Sequence, residues 1–489
     1  MKRRTFLKMT STAVIVPRAV LGGPGNTPPS ERINIAYIGC GTQGMRNLID
    51  LLPRTDARVV AVCDPNTASN DYVEWGHNEI RDRIRSFLGD QSWGQNTQGC
   101  RCGRQVGLEI VHRHYANTSR PTDCTPYIDF RDLLQNHKDL DACYIMTPEH
   151  LHAAIAVASM KHGKHVVTHK PIANVMNEVR LAENTARQTG RATHLFCSAG
   201  LDSTPLIKEW ITAGAIGSVR QVHNWSTRPF WPQGMYERPP QQPVPDGLNW
   251  DLWLGPVPHR PYNLTYTHAV FRGWCDFGSG ALGDMGHYSS YQIFKILDLP
   301  APVSVEASRS QYWAIENLTW QKKVNDLSYP RASRIHWRFP ARQDQPPVDL
   351  YWYDGGILPD LPEELEVDNE PLPDEGLLFV GDRGKLLAGF SGGSPRLIPK
   401  KKMKDFTPPP QTLARPKPEL DQWLTACKGG APSDARFEIT AKLSETVAIG
   451  NVALRVRGKL LWDSQNMKFT NNENANEYLR REYRPGWEL

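Results

Sequence analysis

The chain has 489 residues, 39% hydrophobic and 22% charged, with a formal net charge of +5; it is too long for one ordinary domain and points to two, each able to bury a core. Beyond the N-terminus no apolar run reaches the roughly 18 residues a membrane helix needs, which excludes a spanning helix from the folded body. Lys2, Arg3, Arg4, Lys8 and Arg18 precede the first acid, Glu31, so the rest of the chain is close to neutral and nucleic acid is excluded as an expected partner.

Residues 1–29 read as a segment apart. Arg3-Arg4-Thr5-Phe6-Leu7-Lys8, followed by the mildly apolar Ala13 to Leu21, resembles a twin-arginine export signal and implies a periplasmic or exported protein. A first domain is expected over 30–198. It opens on the apolar strand Ile33 to Ile38, which runs into Gly39-Cys40-Gly41-Thr42-Gln43-Gly44, a G-x-G-x-x-G turn. Gly39 permits the tight turn, Gly41 leaves the backbone open to a pyrophosphate, and Gly44 lets the next helix pack against the strand. Met45, Leu48, Ile49 and Leu52 carry that helix at i, i+3, i+4, i+7 spacing, and its N-terminus aims N–H groups at the phosphates. The second strand, Arg58 to Cys63, ends at Asp64, about 20 residues on, where a carboxylate accepts hydrogen bonds from the adenosine ribose. That acid would repel a 2′-phosphate, so NAD is expected over NADP.

The long connection from Asn66 to Pro126 has helical spacing at Ile80, Ile84, Phe87 and Leu88 and again at Val106, Ile110 and His114, so about 70–126 is an ordered insertion; no chemistry is assigned to it. Cys40, Cys63 and Cys143 sit in apolar runs and pack as small hydrophobes. Cys100, Cys102 and Cys124, near His112 and His114, match no common zinc spacing, and a loop disulfide is the preferred reading; no metal is expected.

Strand signals resume at Tyr127 to Phe130, Leu140 to Met146, His165 to Thr168 and Ala192 to Ser198, with helices between them. This alternation predicts a doubly wound parallel sheet, with ligands beyond the carboxyl ends of the strands. Thr147, Pro148, His152, His169 and Lys170 all fall there. Over 199–489 the pattern changes to alternating strands at Val219–Thr227, Val303–Tyr312, Arg334–Phe339 and Val348–Tyr353, continued near Leu377–Val380 and Gly384–Leu387. They predict an α+β domain with a large, mostly antiparallel open sheet. Glu419 to Cys427 and Thr440 to Leu454 read as helices, and Lys400 to Lys404 as a solvated loop.

Three motifs then stand together: Thr147-Pro148-Glu149-His150-Leu151-His152, Lys170-Pro171 at a strand end, and Gly280-Ala281-Leu282-Gly283-Asp284-Met285-Gly286-His287 in the second domain. With the glycine turn, Phe379 to Gly384 and the tail Asn474 to Leu479, they resemble the Gfo/Idh/MocA family, that of glucose-fructose oxidoreductase and inositol dehydrogenase. The resemblance implies an N-terminal Rossmann domain, a sugar or polyol hydroxyl as substrate, and Lys170 near nicotinamide and substrate. It departs in two places. His169 stands where the family has Glu, and Asp284-Met285-Gly286-His287-Tyr288 carries its histidine one position early. The expected catalytic set is therefore Lys170, Asp284 and His287, with Tyr288 as the substitute if the offset matters. The expected cofactor set is Gly39, Gly41, Thr42, Gln43, Gly44, Asp64, Thr147, Pro148, His152, His169 and Lys170.

Hydride transfer from a sugar carbon requires a group to take the O–H proton, and a neutral imidazole suits that step. Trp225 to Trp231, Trp250, Trp253, Tyr262, His268, Arg272 and Trp274 are expected to contact the sugar through ring stacking. A second reading, implied by exported relatives, is an NAD-dependent glycosidase working by oxidation, elimination and hydration; a third is a non-catalytic sugar-binding protein. Homo-oligomerisation through the C-terminal sheet is expected.

Overall fold

Strands that are apolar throughout, with no polar alternation, can be buried only on both faces. The computed structural model describes residues 31–489 except 117, 119–122 and 269; the twin-arginine motif lies outside the described residues. Six parallel strands lie in the order Thr125–Tyr127, Ala57–Cys63, Ile33–Ile38, Ala142–Ile145, His165–His169 and Thr193–Phe196. The chain order reverses beside the Ile33–Ile38 strand, and the crevice at that reversal is where a doubly wound sheet receives its ligand.

The strands of the second sheet alternate instead. In Ser333–Phe339 the inward residues Ser333, Ile335, Trp337 and Phe339 are buried, while Arg334 and Arg338 are exposed. Nine strands join in the order Arg396–Ile398, Lys385–Ala388, Gly376–Gly381, Val219–Trp225, Val348–Tyr353, Ser333–Phe339, Ser304–Arg309, Leu460–Asp463 and Lys468–Phe469. All neighbours are antiparallel except Val219–Trp225 with Val348–Tyr353.

Between the two sheets runs the helix Phe437–Ala453, apolar around most of its circumference and hence buried along most of its length. It packs against the helices Met176–Thr189 and Gly280–Leu297. Trp337 reaches it from the sheet, donating its indole N–H to the Thr446 carbonyl at 3.0 Å. A buried aromatic of this kind contributes about 1.5–3 kcal/mol through area alone.

Three expectations are corrected. The strand read as Val303–Tyr312 breaks after Arg309, and Tyr312–Glu316 pairs with Thr319–Lys323 as a separate hairpin. Lys400–Asp405 is a short exposed helix, with Lys401 and Asp405 paired at i, i+4, because Pro399 presets its entry and the lysines are good helix formers. Cys100, Cys102 and Cys124 are free, buried thiols. They pack in the core under the insertion with Ile80, Ile84 and Ile110, which removes the reason for a disulfide in a polar loop.

Candidate active site

The glycine turn takes its shape from steric exclusion. Gly39 has φ +99°, and a Cβ there would lie 2.5 Å from the Met146 carbonyl carbon; a Cβ on Gly44 would collide with the Gly39 carbonyl. The helix Thr42–Leu51 begins with Gly41 as N-cap and without a side-chain cap or an acid in its first turn, which leaves donors available to an anion. Asp64 closes the turn from the next strand: its carboxylate accepts from the N–H of Cys40 at 2.6 Å and of Asn66 at 2.8 Å. Burial pushes that carboxyl up, and these two donors oppose the rise.

Gly39, Gly41, Thr42, Gln43, Gly44, Asp64, Thr147, Pro148 and His169 line one groove at this edge. The groove measures about 90 Å³, below the roughly 300 Å³ at which small-molecule pockets begin. Two residues of the 70–126 insertion cover part of it. Tyr72 lies over Gly41, 3.2 Å from where a Cβ would be, and its ring meets His268 of the second domain with centroids 3.8 Å apart. Trp75 lines the groove beside it. The turn, uncapped helix and acid fit a dinucleotide, and Tyr72 and Trp75 stand at the entrance of the groove.

Next to this groove, and sharing Gln43, Trp75, His169 and Arg272 with it, is a cavity of about 610 Å³. The strand His165–His169 delivers Lys170 to its floor. The helix Gly280–Leu297 delivers Asp284 and, one turn on, Tyr288. Lys170 and Asp284 form a buried ion pair, and Arg272 donates from Nε to the same carboxylate oxygen at 2.9 Å. Burial alone would raise the Asp284 carboxyl, but the Arg272 and Lys170 cations hold it well below the carboxylate range. Burial lowers the Lys170 ammonium against the pull of Asp284. Two cations on one carboxylate leave a positive excess facing the cavity.

Tyr288 lies beneath Lys170, whose Nζ is 4.7 Å from the ring centroid, and its hydroxyl is 3.1 Å from His169 Nε2. Burial and the neighbouring Lys170 keep His169 neutral, well below the ordinary histidine range. Burial, reinforced by Asp284, raises the Tyr288 phenol.

The structure does not bring His287 to the cavity. It turns into the core, about 100° of helix away from Tyr288, with Nδ1 2.8 Å from the Gly283 carbonyl and Nε2 3.3 Å from Ser444 Oγ. Burial drives it down to about 3. The offset in the motif has a geometric cause: one residue is about 100° of helix, enough to exchange cavity for core. His152 also stays out of the groove, its ring set between the Pro171 carbonyl at 2.6 Å and the Thr147 carbonyl at 2.9 Å. There it braces the two loops that carry Lys170 and Thr147.

Most of the tryptophans expected to meet sugar are core. Trp250, Trp253, Tyr262 and Trp274 pack with Tyr266 and Phe277 in a buried cluster, and Trp225 is fully buried. Trp231 and Arg272 do reach the cavity, with Phe230, Arg228 and Trp75; His268 and one edge of the Trp253 cluster line the groove. Sequence reasoning gave no role to Trp75, whose isolated position in an insertion carries no periodic signal, nor to Glu149. That carboxyl is buried behind the ion pair, bonded by Ser279, and burial together with Asp284 pushes it up to about 7.

Residues 102–196 match the GFO_IDH_MocA model, described as an oxidoreductase family's NAD-binding Rossmann fold, and residues 208–335 match the model of its C-terminal alpha/beta domain. Levoglucosan dehydrogenase of Pseudarthrobacter phenanthrenivorans is 30% identical over 111 residues, 21% of this chain and 28% of that one. A glycosyl hydrolase family 109 protein of Shewanella pealeana is 23% identical over 183 residues, 37% of this chain and 32% of that one. The chain thus spans about a third or less of the length of either relative. The WlbA dehydrogenase from Bordetella pertussis, solved with NADH and UDP-GlcNAcA, is similar in fold, with a TM-score of 0.53 at 13% identity over 88% of this chain and 99% of that one. The chain belongs to the Gfo/Idh/MocA oxidoreductase family, and its first domain is that family's NAD-binding Rossmann fold.

Proposed function

We propose that the protein transfers hydride between NAD and a hydroxyl-bearing carbon of a sugar, sugar derivative or polyol. The observation that carries this reading is the cluster of Lys170, Asp284 and Arg272 opening into a cavity continuous with the nucleotide groove. Bound nicotinamide accepts or supplies the hydride. Lys170 polarises the substrate oxygen, with Asp284 fixing the ammonium. Tyr288, hydrogen-bonded to neutral His169, moves the hydroxyl proton, a contribution of about 10²–10⁴-fold in a positioned acid–base pair. Trp75, Phe230 and Trp231 supply ring faces for the sugar. The test is to identify the nucleotide released on denaturing the purified protein, then screen sugars and polyols for a change in its absorbance. Failure of every compound to alter the bound nucleotide would defeat the reading.

The partial match to a glycosyl hydrolase family 109 protein favours a second reading, glycoside cleavage by oxidation, elimination and hydration with the hydride returned. That enzyme would release the aglycone of a chromogenic glycoside without net change in cofactor and would exchange the C2 hydrogen with deuterated solvent. We also propose export by the twin-arginine route, on the Arg3-Arg4 motif, and self-association through the open sheet face. On that face His336, Tyr351 and His223 form a half-exposed stacked row that ends on the buried Tyr353. Cell fractionation and sedimentation test these two proposals.

A further inference from the structure

A second cavity, of about 420 Å³, lies away from the cleft between the end of the helix Phe437–Ala453 and the hairpin of Tyr312–Glu316 and Thr319–Lys323. Arg309, Lys322, Lys323, Arg455 and Arg457 line it, and among the described residues no carboxylate does. Its other polar lining is neutral, Ser308, Ser310, Gln311 and Asn325 among it. Its size is that of a pocket for a small molecule.

A cation beyond a helix C-terminus is ordinarily explained by the helix dipole, and Arg455 and Arg457 follow Ala453 in that position. The explanation does not extend to Arg309, which comes from the Ser304–Arg309 strand, or to the two lysines of the hairpin. Three separate elements therefore converge on one space with the same sign of charge. Such a cluster is destabilising unless something neutralises it. Carboxylates outside the lining do part of this: Glu316 pairs with Lys323, and Asp326 acts on Arg309. Arg309 is also depressed, first by burial and then by Arg455 and Arg457. Its Nη1 donates to the Asn325 carbonyl at 3.2 Å, and Arg455 Nη2 to the Asp326 carbonyl at 3.2 Å. These contacts, and the Tyr478 ring 3.9 Å from the Arg455 guanidinium carbon, fix the guanidiniums without cancelling their charge, and among the described residues the buried Arg455 Nε has no hydrogen-bond partner.

We propose that this cavity is a second ligand site, for an anionic tetrahedral oxyanion group, phosphate or sulfate, free or esterified to a sugar. Phosphate offers three acceptor oxygens and close to two negative charges, which matches converging guanidinium and ammonium donors. The hairpin supplies a surface for a carrier: Trp313 stands directly opposite Lys322 in the register and is 55% exposed. An exposed tryptophan beside a bound anion gives a sugar ring a face to stack on.

The experiment is calorimetric titration of the NADH-saturated full chain with inorganic phosphate, inorganic sulfate, glucose 6-phosphate, glucose 6-sulfate and glucose. Saturation with NADH occupies the dinucleotide groove, so a signal there is excluded. The expected result is one oxyanion per chain, weakened roughly 10-fold or more in Lys322→Gln/Arg457→Gln, with NADH binding and thermal stability unchanged; both residues are exposed. Arg309→Gln is expected to have the same effect and serves as the second variant. Equal affinity for inorganic and esterified anions supports the oxyanion alone as ligand. Tighter binding of the esters, lost in Trp313→Ala, supports the sugar-borne form. Absence of saturable binding up to about 10 mM, or binding untouched by the double variant, overturns the proposal.

Discussion

The ammonium of Lys170, at the carboxyl end of a Rossmann strand, and the carboxylate of Asp284, on a helix of the second domain, form an ion pair whose side chains are 1% and 9% exposed. The pair ties the two domains together at the floor of the cavity of about 610 Å³ beside the groove.

Its two partners should respond differently to mutation. Lys170→Met leaves Asp284 still bonded to Arg272, so folding should survive while turnover falls at least about 100-fold, the scale of a lost charge-stabilising group. Asp284→Asn strands two buried cations and should destabilise the fold by about 3–5 kcal/mol. Denaturant unfolding beside steady-state kinetics would separate the two effects; equal loss of stability in both variants would refute the asymmetry.

Tyr288 and His287 provide a second contrast. Tyr288→Phe removes the hydroxyl bonded to His169 and should lower turnover by about 10²-fold or more. His287→Ala removes only an interior side chain and should cost about 1–3 kcal/mol of stability with turnover within a few-fold of wild type. Inactivity of a well-folded His287→Ala protein would restore that histidine to the reaction.

Glu149 gives the pH dependence of stability a definite sign. Its carboxyl titrates near 7 in the folded protein, above its unfolded value, so between about pH 4.5 and 7 the folded state binds the extra proton. Stability from this group is therefore fully present below pH 4.5 and is lost as pH rises through 7. His287, at about 3, and His152, at about 4, act oppositely, adding stability as pH rises from their folded values to about 6.5. Comparing Glu149→Gln with wild type isolates the first effect: the variant should lack the loss between pH 4.5 and 7, and parallel stability curves would count against it.

Nucleotide preference rests on Asp64. Its carboxylate lines the groove, and the adjacent Arg104 donates to the Asp64 carbonyl at 2.6 Å and to Thr67 Oγ1 at 3.2 Å, which commits that cation to the backbone. NADH is expected to bind at least about 10-fold more tightly than NADPH, with the gap narrowed in Asp64→Ser. Fluorescence titration of both nucleotides measures this, and equal affinities would disprove it. By the same geometry Tyr72→Ala should open the groove and speed NADH release.

Much of the fold was legible because its signals are local. The glycine turn, the uninterrupted apolar strands of the first sheet and the alternation of Ser333–Phe339 are each dictated by sterics or burial within a few residues, and the sheets assemble as those patterns require. The groove residues from Gly39 to Gly44, with Asp64, Thr147, Pro148 and His169, were legible for the same reason: ends of parallel strands share one edge.

What the sequence left open depends on contacts between distant segments. Sequence by itself brought Asp284, His287 and Tyr288 to one short stretch; only the packing of the Gly280–Leu297 helix against Phe437–Ala453 turned His287 inward to Ser444 and Tyr288 outward to His169. Composition could not distinguish a tryptophan that stacks on sugar from one that fills a core, because both are apolar rings, and burial alone assigned Trp250 and Trp274 to the interior. Nor could the sequence give the insertion a purpose. Tyr72 comes to lie over Gly41 through long-range packing, and the free energy of such contacts belongs to pairs of residues far apart in the chain rather than to either segment alone.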